Sequence, residues 1–153
     1  MDKQWYLKDQ KLESVWSNEG YGNTAGEGVV VAVIDTGVDY NHEDLQDNIW
    51  TNSAEVSGQK GTDDDNNGYV DDVHGINLID PNETPMDDHG HGTHVAGIIA
   101  MENNNVGGVG IAYKSKIMPI KAGGADGTFY SSDIAKGIEY AYKNGADVIN
   151  MSF

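Results

Sequence analysis

The segment Gly28-Val29-Val30-Val31-Ala32-Val33-Ile34-Asp35-Thr36-Gly37 decides the architecture. From Val29 to Ile34 the residues are apolar and mostly β-branched, with no polar break within the run. Alternation of apolar and polar residues would mark a strand wet on one side. A continuous run predicts a strand buried on both faces, as in a parallel sheet with helices above and below. Asp35 ends the run. In open α/β sheets the chemistry lies outside the carboxyl ends of the strands, so an acid there is a candidate functional group as well as a cap for the next turn.

Leu12, Val15 and Trp16 stand at helical spacing within Lys11–Glu19, with Gly20 as the expected C-terminal cap. His91–Met101 predicts a helix with Val95, Ile98 and Ile99 apolar. Gly92, Ala96 and Ala100 form a ridge of small residues four apart, which would let this helix approach another backbone closely. Lys116–Ala122 is a β-type run broken by Pro119, which predicts a sheet margin or a strand end rather than a central strand. Ser131 or Ser132 is expected to cap a helix carrying Ile134, Ile138, Ala141 and Tyr142, closed by Asn144-Gly145. Ala146–Met151 predicts another buried strand. Strands alternating with helices predict a doubly wound, mostly parallel α/β sheet. A complete domain would cover that last strand with a further element, and none follows in the sequence.

Composition removes several function classes. The 153 residues suit one domain, and no internal repeat is present. There are 25 acidic and 9 basic residues, a formal net charge of -16, and every basic residue is lysine. Without arginine or a basic stripe, nucleic acid is excluded as a partner, and anionic membranes are disfavoured. Absence of cysteine excludes disulfides, a thiol nucleophile and Cys-ligated zinc. The longest apolar run, Val29–Ile34, is too short to span a bilayer. Charges spread over the first twenty residues leave no signal-peptide core.

Asp87-Asp88-His89-Gly90-His91-Gly92-Thr93-His94-Val95-Ala96-Gly97 places three histidines within six residues at a helix start. Packing does not require that. One reading makes His91 a general base, which needs a carboxylate to fix its tautomer and stabilise its cation; Asp35 is the available partner. The other makes His89, His91 and His94 ligands of a hydrolytic zinc. Against zinc, Thr93 stands where a His-x-His-x-Asp-His signature would supply a carboxylate, and a helical course would turn His91 and His94 away from an ion shared with His89.

A third constellation is the loop Asp63-Asp64-Asp65-Asn66-Asn67-Gly68-Tyr69-Val70-Asp71-Asp72. Its Asp-x-Asp-x-Asn-Gly spacing matches the opening of an EF-hand loop, with oxygen ligands expected from Asp63, Asp65, Asn67 and the Tyr69 carbonyl. Position twelve is His74, not glutamate, so Asp71 or Asp72 must close the ring if calcium binds. A solvated acidic turn is the competing reading.

The segments Val31-Ala32-Val33-Ile34-Asp35-Thr36-Gly37-Val38-Asp39 and His91-Gly92-Thr93-His94-Val95-Ala96-Gly97 resemble the Asp and His motifs of the subtilisin-like serine proteases. Gln4-Trp5-Tyr6-Leu7 resembles the start of a mature catalytic domain. Ala125-Asp126-Gly127 and Asp147–Ser152 resemble the family's substrate-flanking segments. The resemblance implies Asp35 as triad acid and His91 as general base, with His89 in the approach loop and His94 packing or hydrogen-bonding nearby. It implies that Gly124, Gly127, Phe129 and Ser152 belong to edges that hold a peptide as an added strand. It also implies a calcium site built from side chains of Asp44 and Asn104 and carbonyls of Glu102, Val106 and Gly108, hence one or two calcium ions in all.

The chain departs from the family in one respect: no Gly-Thr-Ser-x-Ala segment supplies the nucleophile. Residues 1–153 are therefore expected to be the N-terminal part of a single peptidase domain, inactive alone. Expected partners are polypeptide substrates, the missing C-terminal half and a propeptide, with secretion of the intact protein. The unsatisfied strand near Val148–Met151 is expected to drive dimerisation, swapping or aggregation. A non-catalytic calcium- or partner-binding module on the same fold is the alternative.

Overall fold

The computed structural model describes residues 4–17 and 24–153; the expected cap at Gly20 lies outside them. Two short helices, α1 (Trp5–Asp9) and α2 (Leu12–Trp16), precede the first strand. Then follow β1 (Val30–Asp35), α3 (Ser53–Ser57), β2 (Ile76–Asn77), α4 (His91–Ala100), β3 (Lys116–Lys121), α5 (Ser131–Lys143) and β4 (Val148–Asn150). The four strands form one sheet in the order β2-β3-β1-β4, and every pairing is parallel.

β1 is buried on both sides, as its unbroken apolar run requires. Its side chains alternate between two cores. Val31 and Val33 join Ala96 and Ala100 of α4, with Val38, Leu45, Ile49 and Ile117. Ala32 and Ile34 join Tyr140 and Ala141 of α5, with Ile76, Met118, Ile120 and Ala122. Each fully buried aliphatic side chain contributes roughly 1.5–3 kcal/mol, so both faces of β1 add to the stability of the sheet.

Four expectations need correction. Pro119 does not mark a margin: β3 lies between β1 and β2, with Pro119 level with Val33. Along β3 the amides of Lys116 and Ala122 bond toward β1, while the carbonyls of Ile117 and Lys121 accept from Trp50 and Leu78 on the other side. By alternation the proline nitrogen also faces that other side, where β2 pairs only with Ile120 and Lys121 and an isolated bridge joins Ile49 to Ile117. The missing N–H therefore falls in a gap between partners.

α5 begins at Ser131 after an extended Tyr130, and neither serine caps it. Its inward side is Gly137, Tyr140 and Ala141, whereas Ile138 and Tyr142 are exposed. Two residues advance a helix by about 200°, so burying Tyr140 turns Tyr142 outward. α4 likewise buries its small residues Gly92, Ala96, Gly97 and Ala100 and leaves Ile98 exposed. β4 is not buried: it pairs with β1 alone, and Val148 is 50% exposed. Among the described residues nothing covers its far side, and no helix is long and apolar enough to cross a membrane.

Candidate active site

The carboxyl end of β1 delivers Asp35, completely buried, beside the first turn of α4. Gly92 permits the approach. A Cβ there would lie 2.1 Å from the Gly37 carbonyl oxygen and 3.0 Å from the Asp35 Cβ. The helix thus rests on the strand tip, and the residue before Gly92 meets the acid: His91 Nδ1 is 2.8 Å from Asp35 Oδ1. The Thr36 amide donates to the same oxygen at 2.7 Å, while Asp35 Oδ2 is buried with no hydrogen-bond partner among the described residues. An ionised carboxylate only accepts, so Nδ1 carries the hydrogen and the second ring nitrogen is left basic. The His91 side chain is 43% exposed, which gives that nitrogen access to a reactant. The buried carboxylate thus orients the ring, and the second ring nitrogen is left open to a reactant.

The other two histidines do not join it in a metal site. His89 faces His91 edge-on, with ring centroids 6.4 Å apart, and its Nε2 would lie 3.4 Å from a Cβ at Gly127. His94 is exposed one turn along α4. Among the described residues the sole trio of His or carboxylate groups with ligand atoms within 4.8 Å of one another is Glu55, Asp65 and Asp72.

Lys121, at the end of β3, is 3% exposed and was not anticipated from sequence. Its ammonium donates to the Thr36 carbonyl at 2.6 Å, the Gly123 carbonyl at 3.1 Å and Asp88 Oδ1 at 2.5 Å. It thereby joins the acid's tip, the histidine loop and the turn after β3. In that turn the Gly124 amide bonds to the Thr128 carbonyl, the Gly127 amide to the Gly124 carbonyl, and Gly123 bridges antiparallel to Phe129. Phe129 stacks on Phe153 at 4.3 Å, while Ser152 is exposed and donates to Asn150 Oδ1.

The acidic loop folds around amides. Asn52 Nδ2 donates to Asp65 Oδ2 at 2.8 Å and Asp72 Oδ1 at 2.9 Å; Asn67 Nδ2 donates to Asp65 Oδ2 and Asp72 Oδ2. The Tyr140 hydroxyl donates to Asp72 Oδ2 at 2.5 Å, and burial, then this bond, push the phenol far above its ordinary value. Of the expected ligands, Asp65 and Asp72 converge. Asp63 is instead spent on the amides of Asn67 and Gly68, the Asn67 oxygen accepts from the Tyr69 amide, and the Tyr69 ring packs edge-on against Tyr140. Sequence reasoning missed Glu55, a buried carboxylate brought in by α3, which Asn52 caps. Three carboxylates whose donors are neutral amides and a phenol make an oxygen-rich, electronegative cluster that could hold a hard cation.

The second acidic position is more deeply buried. Asp44 is 1% exposed; among the described residues its Oδ1 has no partner and its Oδ2 only a 3.4 Å contact with the Gly108 amide. The Glu102 amide donates to the Asp44 carbonyl, and the Asn104 side chain accepts from the Val106 amide and reaches the Glu43 carbonyl. Gln4 brackets Val109 with two 3.0 Å bonds. A carboxylate oxygen buried without a donor is costly unless a cation neutralises it, so this loop also fits one.

The model of the subtilase family matches residues 26–153. Subtilisin-like protease 1 of Plasmodium falciparum is 48% identical over 124 residues, covering 80% of this chain and 18% of that protein. The thermophilic serine proteinase of Bacillus sp. (strain AK1) is 36% identical over 142 residues, covering 92% of this chain and 30% of its own length. Subtilisin BL of Lederbergia lenta is 39% identical over 127 residues, covering 83% and 38%. The chain thus spans well under half the length of these relatives. Its α/β sheet, its Asp35–His91 pair and these matches agree: the chain belongs to the subtilase family of serine proteases.

Proposed function

We propose that this chain is the N-terminal part of a subtilisin-like serine endopeptidase domain and supplies the acid and the base of an Asp-His-Ser triad. The observation that carries the reading is the 2.8 Å contact between His91 and a fully buried Asp35 at the carboxyl end of β1. His91 takes the proton from the serine hydroxyl as it attacks the scissile carbonyl, then returns it to the leaving amine. Asp35 fixes the ring and stabilises its cation. The strand-edge groups near Gly124, Gly127, Phe129 and Ser152 contribute to holding a polypeptide substrate; the bond from the Gly124 amide to Thr128 argues that this backbone group serves the turn first.

No serine in the chain has the sequence context of the nucleophile, so the 153 residues alone are inactive. In subtilisin itself, loss of the serine costs on the order of 2 × 10⁶ in turnover. The exposed edge of β4 receives the rest of the domain; without it, copies of the chain associate through that edge. The family resemblance carries the further reading that the intact protein is secreted and made with a propeptide.

Calcium is the cation we assign to both acidic sites. Asp44, Asn104 and the carbonyls of Glu102, Val106 and Gly108 would hold one ion, and Glu55, Asp65 and Asp72 the other, with Asp63, Asn67 and Tyr69 shaping the loop. Bound there, calcium would neutralise crowded carboxylates and brace the loops. A non-catalytic module would keep these sites but give no reason for the buried Asp35–His91 pair.

The test is labelling by a fluorophosphonate probe together with casein digestion. The 153-residue chain should do neither. A longer product carrying the serine segment should do both, and His91→Ala should abolish them. Proteolysis by the chain alone, or persistence in His91→Ala, would refute the assignment.

A further inference from the structure

We propose that Thr36 and Asp87 are positioning residues that hold the His91 ring against Asp35. The proposal rests on the reading of that pair as base and acid.

Thr36 is 1% exposed, and each of its polar groups is engaged around the pair. Its amide donates to Asp35 Oδ1 at 2.7 Å. Its hydroxyl donates to Asp87 Oδ1 at 2.9 Å and accepts from the Gly92 amide at 3.0 Å. Its carbonyl accepts from Lys121 Nζ at 2.6 Å. Thr36 follows the acid in the chain and Gly92 follows the base. One hydroxyl therefore ties together two backbones that are 56 residues apart.

Asp87 completes the clamp. Its Oδ1 also accepts the amides of His89 at 3.0 Å and Gly90 at 2.9 Å; its Oδ2 accepts the Thr93 amide at 2.9 Å and the Thr93 hydroxyl at 2.6 Å. The first amides of a helix have no intrahelical partner, and Gly90, which precedes α4, has no side chain to cap them. Asp87 and Thr36 supply the acceptors, and a negative charge at a helix N-terminus is favoured. That charge is secure. Burial raises the Asp87 pKa, but bonds from Thr93, Gly90 and His89 outweigh it and hold the carboxyl below its ordinary value.

The tolerance is narrow. A contact of 2.8 Å ceases to be a hydrogen bond once the groups separate beyond roughly 3.5 Å, so a displacement of well under 1 Å at the helix start uncouples the ring. Capping alone would stabilise α4 wherever it lay; the Thr36 hydroxyl specifies where.

The experiment uses the 15N-labelled chain and follows exchange of the His91 Nδ1–H with water by NMR, with circular dichroism as the folding control. Wild type and Thr36→Ser, which keeps the hydroxyl, should show a protected Nδ1–H. Thr36→Val removes the hydroxyl without changing charge, and Asp87→Asn keeps the three Oδ1 bonds but sets an amide against Thr93. Both should exchange at least tenfold faster. If Thr36→Val does not fold, Asp87→Asn decides. Wild-type protection in the folded variants, or a Thr36→Ser that behaves like Thr36→Val, overturns the proposal. Absence of a protected Nδ1–H in wild type would instead overturn the acid–base reading, and the proposal with it.

Discussion

Gly92→Ala sets two known effects against each other. An alanine inside a helix gains up to about 1 kcal/mol over glycine, so local propensity predicts a more stable protein. Tertiary structure predicts the opposite. The new Cβ would sit 2.1 Å from the Gly37 carbonyl oxygen, more than 1 Å inside ordinary contact, and 3.0 Å from the Asp35 Cβ. Both are groups at a buried strand tip, not flexible side-chain ends, so α4 must move outward. Overpacking of this kind costs roughly 1–3 kcal/mol, and a backbone clash belongs near the upper end. The net expectation is destabilisation by about 2 kcal/mol, or roughly 4–8 °C in Tm for a chain of this length. A shift near 1 Å would also carry His91 Nδ1 from 2.8 Å to beyond hydrogen-bonding range of Asp35. Thermal melting, with the exchange rate of the His91 Nδ1–H measured on the same sample, checks both consequences. A variant that melts higher, with its Nδ1–H still protected, would show that the small-residue ridge of α4 is not what seats the base on the acid.

Two further outcomes follow from the acidic sites and their anchor. Calcium at 100 times its dissociation constant should stabilise the chain by about 2.7 kcal/mol per site, read as a higher Tm than in chelator; Asp44→Asn and Glu55→Gln should each remove one increment, and no rise in either background would refute both assignments. Tyr140 is a neutral donor whose folded pKa lies far above the unfolded value near 10, so its contribution is complete below that pH and is lost as pH rises beyond it. Alkaline unfolding should therefore begin above about pH 10, with this tyrosine ionising only as the fold opens. Tyr140→Phe should cost about 1.5–3 kcal/mol at neutral pH and weaken the alkaline transition, as followed by phenolate absorbance.

The features legible in one dimension are those carried by local pattern. The unbroken Val29–Ile34 run implied a strand covered on both sides, because successive strand residues face opposite ways and a parallel sheet between helices hides both faces. The histidine run after Asp87 stood out because three imidazoles in six residues exceed what packing needs, whereas Asp35 at the strand tip could as well have been a turn cap and was nominated by its position. The Gly92, Ala96 and Ala100 ridge announced a close approach, though not its target. Features set by partners far away in the chain were not legible. Pro119 is tolerated in a central strand because β2 starts only opposite Ile120. Tyr140 is chosen over Tyr142 by the core of α5, and Glu55 enters the acidic cluster because Asn52 caps α3 beside it. The bond between His91 and Asp35 belongs to this second group. Spacing nominated both residues, but 56 positions separate them, and only the packing of α4 on β1 converts that interval into 2.8 Å. Patterns of burial act through nearest neighbours along the chain, whereas register, partner choice and the last ångström depend on side chains the local sequence does not contain.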